Sequence, residues 1–250
     1  MNRSTPSKSA ESRPATRTAG RRESAAARGQ RTAAIVDRLG RAYPDAECSL
    51  AFANPFQLLV ATILSAQCTD KRVNMVTGGL FSRWPTPAAL AAARPAELEA
   101  VIRSTGFYRA KAKNILGCCR ALVDRHGGEV PDSLPDLVKL PGVGRKTANV
   151  VLGTAFGRAE GVVVDTHVGR ISRRLGLTKQ PDAVRAERDL VTVIPREHWI
   201  AYSHWLIDHG RAVCTARAPK CERCPLEDLC PRVGVKVGVK PKSRKKDRLP

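Results

Sequence analysis

Lys146 is a candidate nucleophile. It follows a Gly-Val-Gly turn and Arg145, at the predicted start of a helix whose apolar face runs from Ala148 to Phe156. A free lysine is almost wholly protonated at neutral pH, and only the neutral amine attacks carbon. The positive end of a helix, the charge of Arg145 and partial burial would each favour the neutral amine. Chemistry alone leaves Lys146 with two possible roles, a nucleophile or a phosphate contact.

Asp165 favours the first of these roles. The helix from Lys146 to Phe156 should run about 15 Å. After a turn at residues 157–161, the extended stretch from Val162 to Asp165 can return about 13 Å. The spacing therefore predicts that Asp165 lies beside Lys146. Asp165 also precedes the next predicted helix, where it would be the N-cap, and capping and catalysis both require a fixed carboxylate.

The glycine-containing turn before Lys146 has a second use. It joins two predicted helices in the run Leu140-Pro-Gly-Val-Gly-Arg-Lys-Thr147. Backbone N–H groups around Gly142, Val143, Gly144 and Arg145 would form a site for a DNA phosphate. This is the helix–hairpin–helix pattern, which binds the nucleic-acid backbone and not a base sequence. An ordinary turn between helices is the alternative, but Leu-Pro-Gly-Val-Gly is much more specific than that.

Four of the eight cysteines are clustered near the carboxyl end, with the spacing Cys214-x6-Cys221-x2-Cys224-x5-Cys230. A zinc site usually has two close pairs of ligands, whereas one close pair with two outliers better suits a [4Fe–4S] cluster. The spacing favours iron–sulfur and leaves zinc as the alternative. The expected role is structural, because a bridged loop would direct Arg217 and Lys220 toward DNA phosphates. The other cysteines are expected in the core: Cys48, Cys68, Cys118 and Cys119.

The charge of the chain points to a polyanionic partner. The formal net charge is +20, and more than half of the excess lies in residues 1–30 and 232–250. Nucleic acid is the first expectation, and an anionic membrane surface is the second. The sequence contains neither an apolar run long enough to span a membrane nor a secretory signal. We therefore expect a cytoplasmic or nucleoid location and no membrane partner, with organellar or nuclear targeting by the arginine-rich N-terminus as the alternative.

Apolar periodicity predicts an all-α chain with many short helices and no strand pair. Residues 1–30 contain no Leu, Ile, Val, Phe, Tyr or Trp and are expected to be a disordered basic tail. Residues 233–250 are expected to be a basic flexible tail. Between them, helices are predicted from about Thr32, from Pro55, and near 70–83, 87–93, 95–104, 108–126, 132–139, 145–156, 167–175, 182–193 and 196–209.

The hairpin and the cysteine cluster, in this order, resemble the endonuclease III family of helix–hairpin–helix DNA glycosylases. The resemblance runs from about Thr32 to Arg232 and includes Leu64–Asp70, Val164–His167 and His204–Gly210. It implies two helical domains that flank a DNA-binding cleft. One would be a six-helix barrel, residues 49–158, with the hairpin. The other would combine residues 31–48 and 159–232 and hold the [4Fe–4S] cluster.

The resemblance also implies an activity and a partner. Members of the family remove oxidised pyrimidines from double-stranded DNA after flipping the base out of the helix. Lys146 matches the nucleophile that attacks C1′ and forms a Schiff base, and Asp165 matches the carboxylate that assists it. β-Elimination then cuts the strand 3′ to the abasic site. Gln67 matches the residue that fills the gap left by the flipped base, and the protein is expected to act as a monomer.

Two positions depart from the family pattern. Phe107 stands where the family often has a leucine that wedges into the DNA. Ala218 stands where the loop between the first two cysteines often has a further basic residue. The first departure bears on base preference, and the second on affinity for DNA.

Three alternatives remain beside this interpretation. An adenine-mismatch glycosylase usually lacks the lysine, so Lys146 argues against that activity. A pyrimidine-dimer or thymine-mismatch glycosylase shares much of the pattern and stays open. A non-catalytic helix–hairpin–helix protein that only docks on DNA is opposed by the pairing of Lys146 with Asp165.

Overall fold

A computed structural model describes residues 23–235, and this part of the chain is helical, with no β-strand. The all-α prediction is thus confirmed. Short 3₁₀ turns lie at Arg103–Thr105, Arg196–His198 and Cys221–Arg223. The α-helices are α1 (Ala25–Ala42), α2 (Pro55–Leu64), α3 (Asp70–Arg83), α4 (Pro87–Ala91), α5 (Pro95–Ile102), α6 (Tyr108–His126), α7 (Leu134–Leu137), α8 (Arg145–Phe156), α9 (Thr166–Arg174), α10 (Ala183–Val191) and α11 (Trp199–Ala212).

The first helix begins earlier than the sequence predicted. Ser24 is its N-cap, and the Ser24 hydroxyl accepts a hydrogen bond from the Ala27 N–H at 3.2 Å. Alanine has the highest intrinsic helix propensity, which favours a helix from Ala25 onward. The predicted disordered tail is therefore wrong for residues 25–30. The remaining tail predictions, for residues 1–22 and 236–250, lie outside the described residues.

Arginines, and not apolar side chains, attach the start of α1 to the protein. The Arg28 guanidinium donates to the Leu177 carbonyl at 2.6 Å, and that of Arg31 donates to the Leu175 carbonyl at 2.7 Å. Hydrogen bonds of a charged donor are stronger than neutral ones, so these contacts replace the apolar face that this segment lacks. The absence of large apolar residues was therefore a poor guide to disorder.

The segment α2–α8 surrounds the first of two hydrophobic cores. Helix α2 packs against α8, and both α4 and α5 pack against α6. Fully buried leucines and isoleucines fill the centre, among them Leu59, Leu80, Leu98 and Ile115. The helix predicted near 132–139 is only one turn, α7, since the chain leaves it through 3₁₀-type bonds such as the Leu140 N–H to the Leu137 carbonyl at 3.1 Å.

The second core joins the N-terminal helix to the last third of the chain. Helix α11 packs against α1 and α9, with Leu39, Ile171, Tyr202 and Leu206 buried between them. Leu226, from the cysteine-bearing segment, is fully buried in the same core. No helix within residues 23–235 has the length and apolarity that a membrane crossing requires.

The two cores meet where α8 passes α11. A Cβ added to Gly153 of α8 would lie 3.2 Å from Cγ1 of Ile200 on α11, so the small residue permits the close approach. Arg211 of α11 donates to the Asp70 carboxylate at the start of α3, at 2.9 Å. The open side of this junction is the cleft described next.

Candidate active site

A cleft of about 570 Å³ opens between the two cores. One wall comes from the end of α2 and the first turns of α8, and the other from the stretch before α9 and from α11. Lys146, Asp165 and Gln67 all line it. The structure therefore brings together three residues that are far apart in the sequence.

Lys146 lies in the first turn of α8, whose N-cap is Gly144. Its side chain is exposed to the cleft, which corrects the expectation of partial burial. No side chain caps the start of α8, so the helix presents its first N–H groups and the positive end of its dipole in this region.

Asp165 lies in the opposite wall as the N-cap of α9. Its Oδ1 accepts a hydrogen bond from the Val168 N–H at 2.8 Å, which fixes the carboxylate. Lys146 and Asp165 also line a second groove, together with Arg170 and Arg173. The two side chains do not form an ion pair with each other. The return path from Phe156 to Asp165 thus ends at the same cleft as Lys146.

Arg145 is not the free neighbouring cation that the sequence suggested. Its guanidinium forms an ion pair with the Glu187 carboxylate of α10, with Nη2 3.0 Å from Oε1 and Nε 3.1 Å from the same oxygen. Asn149 Nδ2 also donates to Glu187 Oε1, at 3.1 Å. Sequence reasoning missed Glu187 and Asn149, because no local pattern links α10 to α8.

The hairpin before α8 is held against α6. Gly142 has a φ of +78°, and a Cβ there would lie 2.7 Å from the Cβ of Asn114, so both backbone conformation and space require glycine. Val143 is buried, and its N–H donates to the Leu140 carbonyl at 3.1 Å. Val143 therefore offers neither its side chain nor its N–H to a phosphate, which corrects that assignment. The candidate phosphate site keeps Gly142, Gly144 and the first residues of α8.

Gln67 and Phe107 share an unusual backbone conformation. Their φ values are +53° and +48°, in the left-handed region that side chains other than glycine rarely adopt. Phe107 precedes α6 and is 67% exposed, which is exceptional for an aromatic side chain. Such strain and exposure are typical of residues held in place for function.

Lys111 ties the loops that carry these two residues together. It is buried in α6, and its Nζ donates to the carbonyls of Leu64 and Thr105, each at 2.8 Å. Burial lowers the pKa of this amine. Sequence reasoning missed Lys111, although a lysine on the apolar face of α6, next to Ala112 and one turn before Ile115, was a usable signal.

The four clustered thiols surround one small cavity on the side of the second core. All four are partly buried, and the cavity is lined by Cys214, Cys221, Cys224 and Cys230. Their sulfurs receive polar contacts: Arg174 Nη1 lies 3.2 Å from the Cys214 Sγ, and the Leu226 N–H donates to the Cys224 Sγ at 3.4 Å. Hydrogen bonds to sulfur stabilise thiolates and tune iron–sulfur clusters.

This arrangement fits a cluster with several iron atoms. Within residues 23–235, no three or more His, Cys, Asp or Glu side chains are close enough together to hold a single metal ion. The four thiols line one shared cavity, as the ligands of a polynuclear cluster would. Burial raises the pKa of Cys224 to about 11, so this thiol needs a bound cation to be deprotonated.

The remaining sequence-predicted residues are placed as follows. Arg217 is exposed in the loop between the first two cysteines, as is Ala218. Lys220 is exposed too, but its Nζ donates to the Ala212 carbonyl at the end of α11, at 3.2 Å.

The four cysteines outside the cluster differ from one another. Cys118 and Cys119 are buried in the first core, and burial raises the pKa of Cys118 to about 12. Cys48 and Cys68 are only partly buried and line the cleft, which corrects the expectation that they are core residues.

Comparison with known proteins defines the class. Residues 60–196 match the model of the HhH-GPD superfamily of base excision DNA repair proteins. Residues 214–230 match the iron-sulfur binding domain of endonuclease III. Together these two matches include Gln67, Lys146 and Asp165 of the cleft and the four clustered cysteines.

Similar proteins give the narrower family. Endonuclease III of Synechocystis sp. is 56% identical over 206 residues, which cover 82% of this chain and 94% of that protein. Endonuclease III of Escherichia coli strain K12 is 44% identical over 196 residues, which cover 78% and 92%. A solved structure of a trapped endonuclease III–DNA covalent intermediate has a TM-score of 0.77 at 47% identity and covers 82% of this chain and 96% of its own.

The chain therefore belongs to the endonuclease III family. It is a DNA glycosylase of base excision repair with AP lyase activity, and it is an iron–sulfur protein. A thermostable thymine-DNA glycosylase, with a TM-score of 0.74 but only 21% identity, shares the fold.

Proposed function

We propose that this enzyme removes oxidised pyrimidines from double-stranded DNA through a Schiff base on Lys146, and that it then cuts the strand 3′ to the abasic site. One observation carries the proposal: an exposed lysine at the start of α8 and a fixed carboxylate at the start of α9 line the same cleft. Solved complexes of endonuclease III with DNA, one covalent and one non-covalent, support duplex DNA as the partner.

The chemistry needs two functions from these residues. Neutral Lys146 Nζ attacks C1′ as the bond between C1′ and the base breaks, and the base leaves with its electron pair and takes up a proton. Asp165 stabilises the positive charge that develops on the sugar, and it accepts a proton from the lysine nitrogen once the bond to C1′ has formed. The bond between C1′ and O4′ then breaks, O4′ takes up a proton, and the iminium forms. Loss of a proton from C2′ then expels the 3′ oxygen by β-elimination.

DNA contacts come from the rim of the cleft. Gly144 and the first turn of α8 offer N–H groups to a phosphate. The Lys146 side chain is not part of this phosphate site, because it bonds to the sugar. Gln67 fills the gap left by the flipped base, and Phe107 inserts beside it. Arg217 and Lys220 add basic charge on the side of the second core.

The four clustered cysteines hold a [4Fe–4S] cluster. Their thiolates would be its ligands, and this ligation would fix the ends of the loop that carries Arg217. The proposed role of the cluster is to position this loop. We assign residues 49–158 to one domain and residues 25–48 with 159–232 to the other, and we expect the monomer to be the active form.

Borohydride trapping on a duplex with one abasic site tests the proposed lysine. Wild type should give a covalent adduct and Lys146→Ala should give none. Lys139→Ala is the matched control, because Lys139 is an exposed lysine near the same hairpin. An adduct with Lys146→Ala at the wild-type yield would refute the proposed mechanism.

A cleavage panel tests the proposed substrate. It compares duplexes that contain thymine glycol, a pyrimidine dimer or an adenine mismatch. Fastest cleavage of thymine glycol is the expected result. Faster cleavage of the dimer or of the mismatch would show that the proposed substrate is wrong, but it would not contradict the role of Lys146.

A further inference from the structure

We propose that Glu187 is a positioning residue for Lys146, and that it fixes the first turn of α8 from the other hydrophobic core. This inference rests on the proposed function, since it assumes that Lys146 is the nucleophile. Glu187 lies behind the wall of the cleft and does not line it. Its effect on the reaction would therefore be indirect.

Glu187 holds α8 on both sides of Lys146. Its carboxylate binds Arg145, the residue before Lys146, with Nη2 at 3.0 Å, and Asn149, three residues after it, at 3.1 Å. Positions three and four apart share one face of a helix. The contact therefore fixes both the axial position and the rotation of the turn that carries Lys146.

The Glu187 carboxylate and the Asn149 amide are both buried. Glu187 is 8% exposed and Asn149 is 4% exposed, whereas the Arg145 side chain is 47% exposed, so burial excludes water mainly from the contact between Glu187 and Asn149. The Asn149 amide is attached to the described structure by its Nδ2 alone, since its Oδ1 is buried without a hydrogen-bond partner. A buried carboxylate is tolerated only when charged and polar partners satisfy it, and here Arg145 and Asn149 do so.

Gly161 gives the carboxylate its space. A Cβ at this position would lie 2.1 Å from Glu187 Oε1 and 2.8 Å from Asn149 Nδ2. The φ of Gly161 does not require glycine, so the close approach of Glu187 and Asn149 explains why this position has no side chain. Gly161→Ala therefore displaces the carboxylate without removing it, and provides a second route to the same perturbation.

The arrangement also separates two cations that are adjacent in the sequence. Arg145 is bound to Glu187, whereas Lys146 is exposed in the cleft. Without the carboxylate, the Arg145 side chain would be free to turn toward the cleft and the DNA. Small misplacement of a reacting group costs about 100-fold in rate for about 1 Å.

The experiment compares holoenzyme variants with matched iron content. Glu187→Gln keeps the shape of the side chain and removes its charge, and Gly161→Ala displaces it. Glu97→Gln is the control, because Glu97 is also paired with arginines, Arg83 and Arg94, but on α5 away from the cleft. Single-turnover trapping at saturating abasic DNA reports chemistry, and the Kd for a duplex with an uncleavable abasic analogue reports binding.

Glu187→Gln and Gly161→Ala should each lower the trapping rate by about 10- to 100-fold while the Kd stays within about twofold of wild type. Glu97→Gln should match wild type in both. A trapping rate within about twofold of wild type for Gly161→Ala, or a loss of DNA affinity without loss of rate in either variant, would overturn the inference. If Glu187→Gln does not fold, Gly161→Ala alone tests the inference. This variant should fold, because only the ends of the Glu187 and Asn149 side chains must move.

The same assay separates this inference from the proposed function. Trapping by Lys146→Ala at the wild-type yield would remove the nucleophile on which both depend. No trapping by Lys146→Ala, together with wild-type rates for Glu187→Gln and Gly161→Ala, would leave the proposed function intact and refute only the role of Glu187.

Discussion

Lys146 of α8 and Asp165 of α9 line one cleft, and no ion pair joins them. Each residue is attached to a different hydrophobic core, through Ala148 and Val168 respectively. A direct ion pair would stabilise the protonated lysine, which is the form that cannot attack.

Asp165→Asn should separate catalysis from helix capping. Asparagine is as good an N-cap as aspartate, so the Val168 N–H keeps an acceptor and the stability should stay within about 0.5 kcal/mol of wild type. The loss of the charge should lower the trapping rate about 100-fold or more. Asp165→Ala should lose the same activity and also about 1 kcal/mol of stability. Equal activity of Asp165→Asn and wild type in single-turnover trapping would contradict the role of the carboxylate.

Phe107→Gly should uncouple stability from activity. A left-handed conformation costs a residue with a side chain about 1–2 kcal/mol, and glycine removes this cost. The larger unfolded-state entropy of glycine offsets part of the stability gained in this way. We expect the free energy of unfolding to stay equal or rise by about 1 kcal/mol, while glycosylase activity on thymine glycol falls. Denaturant melts and cleavage rates measure the two effects. Phe107→Leu, as the matched control, should keep most of the activity; if Phe107→Gly does too, the wedge assignment is wrong.

Lys111→Met should weaken the link between the two loops on the DNA side of the first core. The change leaves the carbonyls of Leu64 and Thr105 without their buried donor, at a cost of about 2 kcal/mol in chemical denaturation. Cleavage should also slow, because Gln67 and Phe107 lose their common support. Lys113→Met on the same helix is the control, since Lys113 is exposed. A stability loss no larger than that of the control would show that Lys111 does not hold the loops.

The stability of wild type relative to Lys111→Met should depend on pH. Burial lowers the pKa of Lys111 in the folded protein, and the unfolded pKa is about 10.4. Between these two values the unfolded chain binds more protons, so the contribution of Lys111 to stability rises with pH and levels off above the unfolded pKa. Urea melts of both proteins from about pH 7 to about pH 10 measure this difference. A difference that shrinks with rising pH would contradict the burial of a charged amine.

Cys221→Ser should lose the iron–sulfur cluster, whereas Cys119→Ser should keep it. Cys119 is fully buried in the first core, where burial raises the pKa of its thiol. Iron and sulfide analysis should give about four of each per wild-type chain and a clear deficit for Cys221→Ser. Wild-type protein that carries one zinc and no sulfide would refute the cluster.

The helices and the hairpin could be predicted because they depend on local signals. Proline starts α2, α4 and α5, Asp165 caps α9, and the apolar spacing of α8 is regular. The position of Asp165 followed from helix rise and strand rise alone. These features are encoded within a few residues of where they appear.

The residues that were missed depend on distant partners. Glu187 approaches Arg145 from 42 positions away, and Lys111 reaches Leu64 from 47 positions away. Nothing local distinguishes Glu187 from an exposed acidic residue on an amphipathic helix. The start of α1 was missed for a related reason, since its anchors are the backbone carbonyls of Leu175 and Leu177.

Helix α6 connects Phe107 with the hairpin that precedes α8. It begins immediately after Phe107, and one to two turns later Asn114 packs against Gly142 in the hairpin. Seven residues of helix span about 10 Å, close to the rise of three base pairs. In the proposed function, α6 would therefore fix the number of nucleotides between the base step into which Phe107 inserts and the phosphate that the hairpin binds.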